Sequence, residues 1–174
     1  VGCGSGYFTR RFAREGHAVT GVDFDRHMLQ FARDHAGAGQ TYLPADARRL
    51  PFADRAFDLC VSVTALCFIR EESRALAEML RVTRRRFAIG LLNRHSLLYL
   101  KKGRGGGRSA YRGARWHTRA QARALLGTAL DDITVATAVF LPGGGGCARL
   151  LERWLPNELP LGAFLVVAGD VPHR

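Results

Sequence analysis

One run of glycines and two later carboxylates have the types and spacing to do chemistry together. Val1-Gly2-Cys3-Gly4-Ser5-Gly6 alternates glycines with small residues, and Tyr7-Phe8-Thr9-Arg10-Arg11-Phe12 then reads as a helix. A strand end that turns into a helix through such glycines lets backbone approach a ligand closely, because no Cβ stands in the way. The helix N-terminus adds free N–H groups and a partial positive charge. Asp23 and Asp46 follow at the ends of the next two expected strands. An ionised carboxylate there is a strong acceptor for hydroxyl or amino donors. This is the chemistry of a cofactor seat.

The elements that would position these groups alternate along the chain. Residues 7–15 read as a helix with Phe8, Phe12 and Ala13 on one stripe, stopped by Gly16. Residues 17–23 form a short strand, and Asp25 caps a helix over 26–36 with Met28, Leu29 and Ala32 inward. Residues 41–43 are a strand, and 57–63 a near-continuously apolar one, as burial on both faces requires. A helix over 72–83 with Ala75, Leu76, Met79 and Leu80 precedes a buried strand over 87–92. This alternation predicts a parallel sheet covered on both faces, with its ligand beyond the carboxyl ends of the strands. Gly2–Gly6, Asp23, Asp46 and Thr64 all fall at such ends.

After residue 92 the pattern changes. Residues 101–115 hold six basic residues, five glycines and no acid, and read as a mobile basic loop. Thr118 and Gln121 fit a capping box for a helix to about Leu126. A strand over 133–141, breakers at Pro142 and Gly143–Gly146, a short helix over 147–155 and an apolar strand over 161–168 complete the chain. The expectation is a single domain over 1–174, with 93–130 as a substrate-side insertion and helix.

Composition narrows the class. The 174 residues, 47% of them hydrophobic, suit a globular protein with a sizeable core. No apolar run approaches the roughly 20 residues that span a bilayer. Cys3, Cys60, Cys67 and Cys147 show no metal-binding spacing, so no metal site is expected, and reduced thiols point to the cytoplasm. The formal charge of +11 comes mostly from arginines on expected helices. It admits an anionic or nucleic-acid partner, but Tyr111 and Trp116 alone are thin support for base stacking beside the basic loop.

Taken in order, Val1–Gly6, Gly21-Val22-Asp23 with Met28-Leu29, Ala45-Asp46-Ala47 with Leu50-Pro51-Phe52, and Phe57–Val61 resemble the class I S-adenosylmethionine-dependent methyltransferases of the small-molecule type. The resemblance runs from Val1 to about Leu92. It implies an α/β fold with a Rossmann-like, mostly parallel sheet, helices on both faces, and a late antiparallel strand, for which 161–168 is the candidate. It implies S-adenosyl-L-methionine as cofactor. Asp23 would take the ribose hydroxyls, Phe24 and Met28 would flank the adenine, and Asp46 with the Ala47 N–H would meet its edge. Gly2, Cys3, Gly4 and Gly6 would touch the methionine portion, and Thr64 would border the methyl group. Family members carry an acid on a central strand just ahead of Val1. The chain as given lacks that strand, so the expected fold has its first strand truncated, an open apolar slot between two neighbours, and weak cofactor binding.

An NAD-dependent oxidoreductase is the weaker reading. Its GxGxxG wants a small residue where Tyr7 stands, and it has no use for Asp46. A non-catalytic binding protein on the same fold and a nucleic-acid methyltransferase also stay open. On the substrate side, His95, Tyr99 and His117 are weak candidates for a base, with Asn93 and Trp116 as contacts. The favoured acceptor is a small molecule, and the basic loop admits an anionic one. The residues do not single out the acceptor, its acceptor atom or an oligomeric state.

Overall fold

In the computed structural model of this chain, residues 1–127, 133–139 and 159–172 are described. The helix expected over 147–155, the breakers at 142–146 and Cys147 lie outside them. The chain divides into two compact units, Val1–Arg85 and Arg86–Arg174.

The first unit starts with α1 (Tyr7–Arg14), β1 (Val19–Asp23), α2 (Arg26–Asp34) and β2 (Gln40–Pro44). β1 and β2 pair in parallel, with Val19 opposite Gln40 and Asp23 opposite Pro44. Parallel pairing needs a crossover, and α2 supplies it. Asp25 caps α2, its carboxylate accepting from the backbone N–H groups of His27 and Met28 at 2.9 and 3.1 Å. Leu29 and Ala32 are fully buried against Tyr42, with Cys3 packed on the cluster. Gly21 has no room for a side chain: a Cβ there would stand 2.9 Å from Thr9 Oγ1 and 3.0 Å from Cys3 Sγ.

β3 (Phe57–Val63), a 3-10 turn (Ala65–Phe68) and α3 (Glu72–Val82) follow. α3 buries Ala75, Leu76 and Met79 as expected, with Val82 rather than Leu80 as the fourth, Leu80 being only half-buried. Arg81 ties it to the preceding loop. Its guanidinium donates to Glu78 at 2.7 Å, to Asp54 at 2.7 Å and to the Phe52 carbonyl at 2.8 Å. Glu78 in turn accepts from Leu50 N–H at 2.8 Å. The Arg81 guanidinium holds the Glu78 carboxyl down at about 2.

Two expectations fail here for one reason. β3 is not buried on both faces, since Leu59 is 52% exposed, and α1 buries Thr9 rather than Phe8. A cavity of about 820 Å³ runs along β1 and β3, lined by Phe8, Phe12, Val19, Gly21, Leu59 and Val61 among others. The apolar side chains face it instead of packed protein. Val1 N donates to the Val61 carbonyl at 2.6 Å and Cys3 N to the Val22 carbonyl at 2.9 Å. The stretch Val1–Cys3 therefore bonds to β3 on one side and β1 on the other, at one end of this slot.

β4 (Thr83–Leu92) begins in the first unit and continues into the second, which adds α4 (Arg119–Leu126), β5 (Ile133–Ala138) and β6 (Phe164–Asp170). β6 lies between β4 and β5 and is antiparallel to both, so β4 and β5 run the same way. Inward residues alternate along β6: Leu165 and Val167 are buried and Val166 is not. This is the late antiparallel strand expected at 161–168. The capping box of α4 is complete, Thr118 accepting from Gln121 N–H and the Gln121 side chain accepting from Thr118 N–H.

Candidate functional site

All ten residues expected to hold a cofactor lie in the first unit. The glycine turn has the backbone that only glycine adopts without strain: φ is 67° at Gly2, 51° at Gly4 and 79° at Gly6. Gly2 abuts the Ala65 Cβ, and a Cβ on Gly6 would stand 2.5 Å from the Tyr42 hydroxyl. Two of the three glycines are thus needed by the chain's own packing. Gly4 differs: nothing lies within 4 Å of where its Cβ would be. Its backbone borders open space, as a ligand-facing position must. Gly6 caps α1 without a side-chain bond, leaving the helix end unblocked by its own cap.

Asp23 is tied to this turn. Its Oδ2 accepts from Gly4 N–H at 2.7 Å and its Oδ1 from Asp25 N–H at 3.0 Å. Each oxygen keeps a further acceptor direction. Ala45 N donates to the Asp23 carbonyl at 3.0 Å, which places the start of the Asp46 turn beside the end of β1. Phe24, next to Asp23, is 79% exposed, and Met28 is 48% exposed, so it does not join Leu29 in the core. Two large apolar side chains thus stand exposed within five residues of the Asp23 carboxylate. Thr64, just past β3, sits at φ 63°, a left-handed conformation costly for a β-branched residue.

Cys3 turns its side chain inward. Its side chain packs on the buried cluster, and burial with the Asp23 charge pushes its thiol up to about 11, so it remains protonated. Asp46 is engaged more than its sequence position shows. Arg48 binds both of its oxygens, at 2.7 to 3.1 Å, and the Arg48 N–H adds a bond at 2.9 Å. Those bonds hold the Asp46 carboxyl down at about 2. Arg48 also reaches Glu71 at 2.8 Å. Ala47 is half-buried in the same turn. Among the described residues no group of His, Cys, Asp and Glu could hold a metal ion.

The substrate-side candidates lie in the second unit. His95 is exposed, and its N–H donates to Asn93 Oδ1 at 3.0 Å. Tyr99 and Trp116 meet edge-on with ring centroids 5.2 Å apart. His117 is buried, and its backbone bridges to β4: its N–H donates to the Leu92 carbonyl at 2.8 Å and its carbonyl accepts from Arg94 N–H at 2.9 Å. Asn93 is not a substrate contact. It is 1% exposed, and its amide donates to the Pro160 and Gly162 carbonyls at 2.7 Å each. It clamps the end of β4 to the approach to β6.

Sequence reasoning missed Tyr42, Ala65 and Arg48. Tyr42 and Ala65 had no local signal, because each meets its glycine only through the fold. Arg48, two residues from Asp46, was legible as a neighbouring charge.

The sequence profile of the methyltransferase-domain family matches residues 1–87. The malonyl-[acyl-carrier protein] O-methyltransferase of Erwinia pyrifoliae is 45% identical over 84 residues, covering 48% of this chain and 32% of that protein. The demethylmenaquinone methyltransferase of Thermobifida fusca is 36% identical over 88 residues, covering 48% of this chain and 37% of that protein. The chain spans about a third of the length of these curated relatives. Among solved structures, a SAM-dependent methyltransferase of Thermotoga maritima superposes with a TM-score of 0.77 at 24% identity, over 99% of this chain and 80% of that one. That likeness shows the fold, Rossmann-like α/β with a mostly parallel sheet and a late antiparallel strand. With half of its length matched by the family profile, this chain belongs to the methyltransferase-domain family.

Proposed function

We propose that this chain transfers a methyl group from S-adenosyl-L-methionine to a small-molecule acceptor. The observation that carries the reading is the Gly4–Asp23 bond at 2.7 Å, which ties an open glycine turn to a carboxylate that retains acceptor capacity. The residues present fit the cofactor. Gly4 lets backbone approach its methionine portion, Asp23 accepts from its ribose hydroxyls, and Phe24 and Met28 cover its adenine face. The bound cofactor would supply an electrophilic methyl group with its leaving group already attached.

The chain's own task is then alignment and exclusion of water. Asp23 does two jobs, holding the Gly4 N–H and orienting the ribose. Asp46 reaches the adenine amino group only as Arg48 loosens its hold, and Glu71 is there to keep the guanidinium. The strained Thr64 at the end of β3 keeps its backbone close to Gly2 through Ala65, and borders the transferable methyl. By their names, the relatives act on malonyl-[acyl-carrier protein] and on demethylmenaquinone. The soluble cytoplasm is the compartment this reading assumes.

The same reading assigns the slot between β1 and β3 to an extended apolar strand continuing the Val1–Cys3 ladder. A partner of β1's length, five residues, spans about 16 Å at about 3.3 Å per residue. It would pair the facing backbone edges of both strands and cover Leu59 and Phe8.

The test is release of S-adenosylhomocysteine across a panel of short acyl thioesters, free carboxylic acids and hydroquinones. Turnover with one class, dependent on the methyl donor, is the expected result. Binding of the donor with no turnover on any class would leave a non-catalytic binding protein as the answer.

A further inference from the structure

The cations of the two units behave differently. In the first, Arg11, Arg48, Arg74, Arg81 and Arg84 are each in an ion pair with a carboxylate. In the second, Arg86 pairs with Asp170 at 3.2 Å, but Lys101, Lys102, Arg104, Arg108 and Arg112 are all exposed, and none makes an ion pair with a described residue. No Asp or Glu occurs in the chain between Glu78 and Asp131. Among the described residues, no carboxylate pairs with these five cations.

The segment is also built, which the expectation of a featureless basic loop did not foresee. A π-helical turn spans Tyr99–Gly103 and a 3-10 turn Ser109–Tyr111. Arg108 N donates to the Lys102 carbonyl at 2.9 Å and Gly113 N to the Gly106 carbonyl at 3.1 Å. Gly103 is buried where a Cβ would strike the Tyr99 and Trp116 rings. Trp116 packs against Tyr99 at 5.2 Å and Tyr111 at 5.7 Å. The five cations therefore stand on a frame with an internal aromatic core. Beside them, Leu97 and Leu100 are 48% and 51% exposed.

We infer that residues 97–112 are a docking face for an acidic protein that carries the acceptor. This rests on the methyl-transfer reading above and names how its acceptor is presented. Charge complementarity selects an anionic partner. Three of the five cations are arginines, whose planar fork matches carboxylates two bonds at a time. The aromatics decide among anionic partners. A nucleic-acid face turns aromatic rings outward to stack bases, and a membrane face turns them outward into the headgroup layer. Here Tyr99, Tyr111 and Trp116 are turned onto one another, and what the same segment exposes is two leucines and the five cations. Exposed apolar side chains together with arginines are what protein interfaces combine.

The experiment compares the protein with a Lys101→Glu, Arg104→Glu, Arg108→Glu variant and a milder Arg108→Ala, Arg112→Ala variant. The probes are malonyl-loaded acyl carrier protein, phosphatidylglycerol vesicles and a single-stranded RNA oligonucleotide, each titrated at low and at physiological salt. S-adenosylhomocysteine affinity is measured alongside. Carrier-protein binding is expected to weaken about tenfold or more on charge reversal, by less in the milder variant, and to fall with salt. S-adenosylhomocysteine affinity is expected to stay unchanged in both. Equal carrier-protein binding by protein and variants, no carrier-protein binding at all, or tighter binding to vesicles or RNA would each overturn the docking face. Failure of the unaltered protein to bind S-adenosylhomocysteine would overturn the methyl-transfer reading instead, whatever the carrier protein does.

Discussion

Residues 1–85 and residues 86–174 put their polar groups to different uses. In the first unit, carboxylates meet arginines and backbone N–H groups at short range: Asp23 holds Gly4, Asp46 holds Arg48, and Glu78 holds Arg81. Charge there is spent internally, and the carboxylate with spare acceptors sits on the glycine turn. In the second unit, neutral long-range contacts such as Asn93 to Pro160 and Gly162 join the strands, while Lys101, Lys102, Arg104, Arg108 and Arg112 stand exposed without a carboxylate partner among the described residues. The first unit gathers paired charges around an open glycine turn. The second joins its strands largely through uncharged bonds and carries five exposed cations that no described carboxylate meets.

That contrast can be broken unit by unit. The largest effect should come from Asn93→Ala, which removes the donors to the Pro160 carbonyl and to the buried Gly162 carbonyl. A loss of about 2–3 kcal/mol is expected. Hydrogen exchange should show lost protection at β6, with the amides of β1 and β2 unchanged. Equal loss in both sheets would mean that Asn93 supports the whole chain rather than the second unit.

A smaller effect is a pH dependence belonging to the first unit. The Glu78 and Asp46 carboxyls are both held at about 2, below their ordinary values near 4. A carboxyl lowered in the folded state binds fewer protons there than when unfolded. It therefore contributes stability above about pH 4.5, which is lost as pH falls toward 2. Acid should open the 50–54 loop and α3, and Glu78→Gln should flatten most of that dependence. A protection profile for α3 that stays the same from pH 5 to pH 3 would contradict this.

How much was legible in the sequence follows the same divide. Elements set by local chemistry were readable: the Asp25 cap, the Thr118–Gln121 capping box, the stop at Gly16, and the stripe of α3. So was the co-location of Gly4 and Asp23, because strand ends in a parallel sheet gather on one side. What was not readable depended on contacts distant in sequence. Asn93 reads as a substrate contact because its partners lie 67 and 69 residues away. Leu59 and Phe8 read as core because periodicity reports an apolar face and not what covers it. Asp46 reads as an adenine acceptor without its Arg48 partner, since adjacency in sequence does not say which way a guanidinium turns. The aromatic frame under the basic segment is hidden because Tyr99, Tyr111 and Trp116 share no period.

The central claim is that the Gly4–Asp23 pair seats a methyl donor. Calorimetric titration with S-adenosylhomocysteine tests it most directly, using the chain with and without Asp23→Ala. Asp23→Ala should cost on the order of 100-fold in affinity, the equivalent of one or two hydrogen bonds to a charged group. Equal affinity with and without the Asp23 carboxylate, in a protein that still melts cooperatively, would contradict the assignment.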